Sequence, residues 1–136
     1  MKKINKIDIA RRQLDVAVDL FLSDGDLISV ITLAGAAEEI FGKIAVSKSK
    51  DSALGFIVKS HKALGSTLVK NEIINQANMV KNALKHADRG SDENIEFDQK
   101  QEAIAMLSRA IINFSKIDMA AAFPLMEKVY ERMHRS

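Results

Sequence analysis

The sequence predicts an all-α fold, an up-and-down four-helix bundle with one or two accessory helices. Three observations carry that prediction. Apolar residues recur at three- and four-residue spacing along most of the chain instead of alternating. One proline, Pro124, leaves little to interrupt long helices. Of the 136 residues 47% are apolar and only 5% aromatic, which suits helices packed closely through Ala, Ile, Leu and Val. The length fits one core without staples, so residues 1–136 read as a single helical domain.

Ile7, Ala10, Leu14, Ala17 or Val18, and Phe21 mark a first helix that ends near Ser23. Asp24-Gly25-Asp26 stops it and restarts the chain into a second helix over 27–46, with Ile28, Ile31, Ala34, Ile40, Phe41 and Ile44 on its apolar side. So short a connection makes the two antiparallel neighbours. A polar linker over 47–52 follows, and Asp51 or Ser52 can cap a shorter third helix through Leu64, with Gly65 as its stop. The fourth helix is expected over 67–87, with Leu68, Ile73, Ile74, Ala77, Val80 and Leu84 as its apolar side. Residues 88–94 form a loop, and Ile95-Glu96-Phe97 is a short segment that can be extended but is too small to found a sheet. Asp98 caps a fifth helix carrying Ala103, Met106, Ala110, Ile111 and Phe114. A sixth should begin near Pro124 and carry Leu125, Val129 and Met133.

The absence of cysteine excludes disulfides and thiolate metal sites and fits a reducing compartment. Asp8, Arg11 and Arg12 interrupt the N-terminus before an apolar leader core can form. The longest apolar stretch, Leu27 to Ile44, holds Glu38 and Glu39 at its middle and reads as a buried amphipathic helix, so no membrane partner and a cytoplasmic location are expected. A formal charge of +2 neither demands nor forbids nucleic acid. No phosphate-cradling glycine loop, serine elbow or stacked-aromatic platform is present, and no cofactor is expected.

The most informative segment runs from Asn71 to His86. Asn71, Asn75, Asn78, Asn82 and His86 are spaced to line one face of an unbroken fourth helix. Each asparagine costs roughly 0.6 kcal/mol relative to alanine in a helix interior, so a merely wet face would sooner use Glu, Lys or Gln. Short amides suit a polar interface or a site. Within it, Lys81-Asn82-Ala83-Leu84-Lys85-His86 resembles the Arg-Asn-x-x-x-His motif of the HEPN superfamily, helical-bundle ribonucleases and nucleotidyltransferase partners of prokaryotic defence systems. Lys81 stands where that family has arginine. Upstream, Asp24 to Lys43 resembles the small-residue second helix with a central acid common in such proteins, and the likeness extends over about Leu14 to His86.

The resemblance implies a homodimer whose motif helices face one cleft, with metal-independent RNA cleavage there. It implies catalytic roles for His86, Asn82 and Lys81. An imidazole can exchange a proton at neutral pH, an amide can orient phosphate and a cation can stabilise its charge. Lysine supplies a mobile point charge where arginine supplies a planar fork, and on an ideal helix Lys81 lies about 140° from His86. Glu39, Asn78 and Asn75 are the candidates for orienting or substrate-binding roles. For Glu39 the plain alternative is an ion pair with Lys43, and Gly35, Glu39 and Gly42 project in similar directions. Glu131-Arg132-Met133-His134 has Glu-x-x-His spacing, but a di-metal bundle needs a second such motif and two more carboxylates. No metal site is expected. His61 reads as exposed. Two functions follow: an RNA-directed domain, or a non-catalytic interaction module whose asparagine stripe pairs two copies or meets another protein.

Overall fold

The computed structural model describes residues 1–48, 50–86 and 94–135. Helix α1 (Lys6–Leu22) opens where Asn5 Oδ1 accepts from the Ile7 N–H at 2.7 Å. Helix α2 (Leu27–Ser47) opens on Asp26, whose carboxylate takes the Ser29 N–H and hydroxyl. Between them the chain turns at Asp24, with φ +56°, and the Gly25 N–H reaches the Leu20 carbonyl at 2.7 Å. A Cβ on Gly25 would lie 3.1 Å from the Leu20 carbonyl oxygen and 2.9 Å from Leu20 Cδ2, so the close approach favours glycine. Helix α3 (Ala53–Ala63) is capped by Ser52, and Gly65 follows it at φ +81°. Helix α6 (Gln99–Ser115) is capped by Asp98.

Two boundaries differ from expectation. The expected fourth helix is two helices, α4 (Lys70–Ala77) and α5 (Met79–Ala83), broken at Asn78 with φ −101°, ψ 3°. In an unbroken helix the Ala77 carbonyl would be offered to the Lys81 N–H. Here it accepts from Arg109 Nη1 at 2.9 Å, and Arg109 Nη2 donates to Asn78 Oδ1 at 2.7 Å. Helix α7 (Met119–Met133) begins five residues before Pro124, because Asp118 supplies a cap to the Ala121 N–H and Ala122 is buried in the core. Pro124 sits inside the helix, exposed, where the Ala120 carbonyl that it leaves without a partner is near solvent. Residues Ile95 to Phe97 are irregular, with Phe97 resting on the core. The expected loop over 88–94 lies, but for Asn94, outside the described residues.

The core is built by α1, α2, α6 and α7, with Leu14, Ile31, Phe41, Met106, Leu107 and Phe114 fully buried. Phe41 and Phe114 stack with centroids 4.6 Å apart. The all-α class and the four-helix core are therefore as the sequence implies, but among the described residues the accessory helices are three, not one or two, and the order is not strictly up-and-down. Direction alternates within the α1–α2 and α6–α7 pairs, whose connections are short. The central pair runs parallel: Gly35 lies against Met106, Glu38 against Arg109, Phe41 against Phe114 and Gly42 against Asn113. Parallel neighbours need a chain that returns to the starting end, and α3, α4 and α5 occupy that return. Their docking against α2 and α6 positions the site.

Candidate functional site

Two polar anchors hold the crossover against the bundle. Asn113, buried on α6, donates Nδ2 to the Glu38 carbonyl at 3.0 Å and accepts the Ala53 N–H on Oδ1 at 2.7 Å. A Cβ on Gly42 would come 3.0 Å from that same Nδ2, so glycine admits the amide. The second anchor is Arg109, whose Nη2 meets Glu38 Oε2 at 2.5 Å while the guanidinium also grips the break at Ala77 and Asn78. Burial pushes the Arg109 guanidinium below its usual pKa, and Glu38 and then Glu102 oppose the shift. Arginine remains charged under such a shift. With both members buried, the pair is weak evidence for stability, yet removing one member strands the other at a cost of about 3–5 kcal/mol.

Lys81 is the next layer. Its aliphatic stem lies against Gly35, where an added Cβ would sit 2.8 Å from Lys81 Cδ. The side chain is 4% exposed, and its ammonium faces Glu39 Oε2 at 3.9 Å. Burial lowers the Lys81 pKa from its ordinary 10.5, opposed by Glu38 and Glu39. Glu39, 47% exposed, also faces Lys85 Nζ at 3.9 Å and Lys43 Nζ at 3.6 Å. The cluster thus sets Lys43, Lys81, Lys85 and Arg109 against Glu38 and Glu39, leaving an excess of positive charge.

Four of these groups open onto a cleft of about 430 Å³ between α2, the start of α3 and the Asn78–Asn82 segment. Glu38, Glu39, Lys43, Asn78, Lys81 and Asn82 all reach it. A second groove, of about 390 Å³, shares Glu39 and Lys43 with the first and adds Lys6 and Lys85. Such a surface can take an anion, and an extended one better than a compact one. Among the described residues no group of three or more His, Asp or Glu side chains is placed to hold a metal. His134, of the Glu-x-x-His sequence, stacks on Tyr130. His61 is half-buried, not exposed, with Nδ1 3.4 Å from Ser66 Oγ.

Of the residues singled out from sequence, Lys81, Asn82, Asn78 and Glu39 come together at the cleft. Asn75 is exposed on α4 and does not line it. His86 is exposed and lies beyond the end of α5, so it does not share a helical face with Asn82. The asparagine stripe fails as one face for the same reason: the helix breaks at Asn78, whose side chain turns to Arg109, and α5 ends after Ala83. Of the two readings of Glu39, the geometry combines both, pairing it with Lys43 and setting it before Lys81. The fully buried acid on that helix is its neighbour Glu38.

Glu38, Arg109 and Asn113 were not anticipated as site-builders. The signal for two of them lies in α6, where Arg109 and Asn113 fall three and seven residues after Met106, inside the apolar stripe. No family model, curated protein or solved structure matches the chain.

Proposed function

We propose that the chain is a HEPN-like helical domain with an RNA-directed role, its two grooves following the backbone of a single strand. The observation that carries the reading is a run of ammonium groups along two adjoining grooves, Lys81 in one, Lys6 and Lys85 in the next and Lys43 in both, with Glu39 between them. Successive phosphates of one strand need cations laid out along a path, not gathered at one point. RNA as the polymer rests on the sequence likeness at Lys81 and Asn82, which share the cleft, while His86 lies outside it. In a homodimer, His86 is the group suited to proton transfer, and its exposure leaves it open to a substrate held by a second copy.

A non-catalytic interaction module is the second reading, and a different surface favours it. Phe56 and Leu64 on and after α3 are 68% and 88% exposed, beside an outward groove of about 480 Å³. The two readings separate in one assay. Labelled single-stranded RNA is incubated with wild type and His86→Ala in chelator, with particle mass followed by light scattering. The RNA-directed reading expects salt-sensitive binding by a dimer. If the domain cleaves, the rate should fall on the order of 10²–10⁴ in His86→Ala, the usual contribution of one acid–base group. Binding without cleavage supports a non-catalytic RNA-binding relative. A dimer or monomer that leaves RNA unbound at low salt contradicts the reading.

A further inference from the structure

The ammonium of Lys81, at the end of a largely buried side chain, faces a counter-ion that it does not hydrogen-bond. Glu39 Oε2 stands 3.9 Å from both Lys81 Nζ and Lys85 Nζ, and Glu39 Oε1 stands 3.6 Å from Lys43 Nζ. Such separations attract, but they exceed the 2.7–3.2 Å of an N–H···O bond. Among the described residues no hydrogen bond leaves Lys81 Nζ. Lys81 reaches the cleft while held only electrostatically, which leaves its N–H groups open to an acceptor that can come closer than Glu39 does. The two partners also differ in freedom. Lys81 is held against Gly35, whereas Glu39 is half-exposed and free to turn outward.

We propose that Glu39 is a resident counter-ion, and that a phosphate group entering the cleft displaces it and bonds Lys81 and Lys43 directly, with Lys85 released on the side of the adjoining groove. Three ammonium groups converge on one carboxylate, which offers two oxygens and is tethered to α2. A phosphate brings more acceptor oxygens and is free to approach within hydrogen-bond length. Asn78 lines the same cleft, and with its Oδ1 engaged by Arg109 its amide N–H groups are the part left to donate. Arg109 itself is occupied by Glu38, Ala77 and Asn78, so it positions the cleft and does not bind the ligand.

This deepens the RNA-directed reading and rests on it only for placing the ligand in that cleft; the claim concerns a single phosphate. The test is titration of inorganic phosphate by calorimetry at constant ionic strength, into wild type, Glu39→Gln and Lys81→Met. Removing the resident charge should tighten phosphate binding roughly tenfold in Glu39→Gln, about 1.4 kcal/mol. Lys81→Met keeps an apolar stem beside Gly35 and should abolish binding. Phosphate affinity unchanged or weakened in Glu39→Gln, undetectable in both proteins, or retained in Lys81→Met overturns the proposal. Glu39 is exposed, so its variant decides the matter even if Lys81→Met folds poorly. The same proteins are then titrated with single-stranded RNA. Phosphate binding enhanced by Glu39→Gln with no RNA binding sinks the RNA reading and keeps this one. RNA binding indifferent to Glu39→Gln does the reverse.

Discussion

Lys81 owes its position to what Gly35 lacks. The missing Cβ leaves the groove in which the lysine stem lies, and the cost is a desolvated ammonium. That cost has a sign that pH can reveal. The folded-state pKa is lowered while the unfolded chain keeps the ordinary 10.5, so between those values the unfolded state binds more protons. The contribution of Lys81 to stability therefore rises with pH through that window, and its penalty is fully present below it. Wild type should gain stability relative to Lys81→Met as pH is raised from neutral toward 10.5, read as the difference in denaturation midpoints. A pH-independent difference would show that Lys81 carries no buried-charge penalty. At this scale the sequence singles out Glu39 and Lys81 by motif and spacing, and the two share one cleft. It did not disclose that the buried acid is Glu38, because adjacent residues on a helix differ by about 100° and burial depends on which neighbour approaches.

Helix starts were legible because a cap is a local device: Asp26, Ser52 and Asp98 each sit where a side-chain oxygen can take a free N–H. The break at Asn78 was not legible, because its partner Arg109 is 31 residues away along the chain. No window around Asn78 contains it. Helix α7 starts after Asp118 and not near Pro124, because Asp118 gives a side-chain oxygen to the Ala121 N–H and an exposed proline is tolerated in the turn that follows. The most consequential element-scale contact is Asn113, which joins α6 to both α2 and the first turn of α3. Asn113→Ala leaves the buried Ala53 N–H without its partner and should cost about 2 kcal/mol. The loss should be local, seen as faster amide exchange in α3 with the α1 and α2 amides protected longer. Equal acceleration throughout the bundle would contradict a docking role.

At the scale of the molecule, the helical class and the four-helix core follow from periodicity, but the parallel α2–α6 pair does not. Periodicity gives each helix an apolar face without saying which way its neighbour runs, and only the contacts between Gly35 and Met106 or Gly42 and Asn113 fix that. The parallel pair forces the crossover, and the crossover walls the cleft on the side that α2 alone leaves open. No helix among the described residues is long and apolar enough to cross a membrane. The central claim is that this cleft receives the phosphate backbone of a single strand, and the salt dependence of RNA affinity in wild type and Lys81→Met tests it most directly. Each phosphate neutralised on a single strand contributes roughly 0.7 to the slope of log affinity against log salt. Lys81→Met, shown to be folded by circular dichroism, should bind more weakly with a slope smaller by about that amount. Wild type and Lys81→Met binding RNA with the same affinity and the same slope would place the RNA elsewhere and contradict the account.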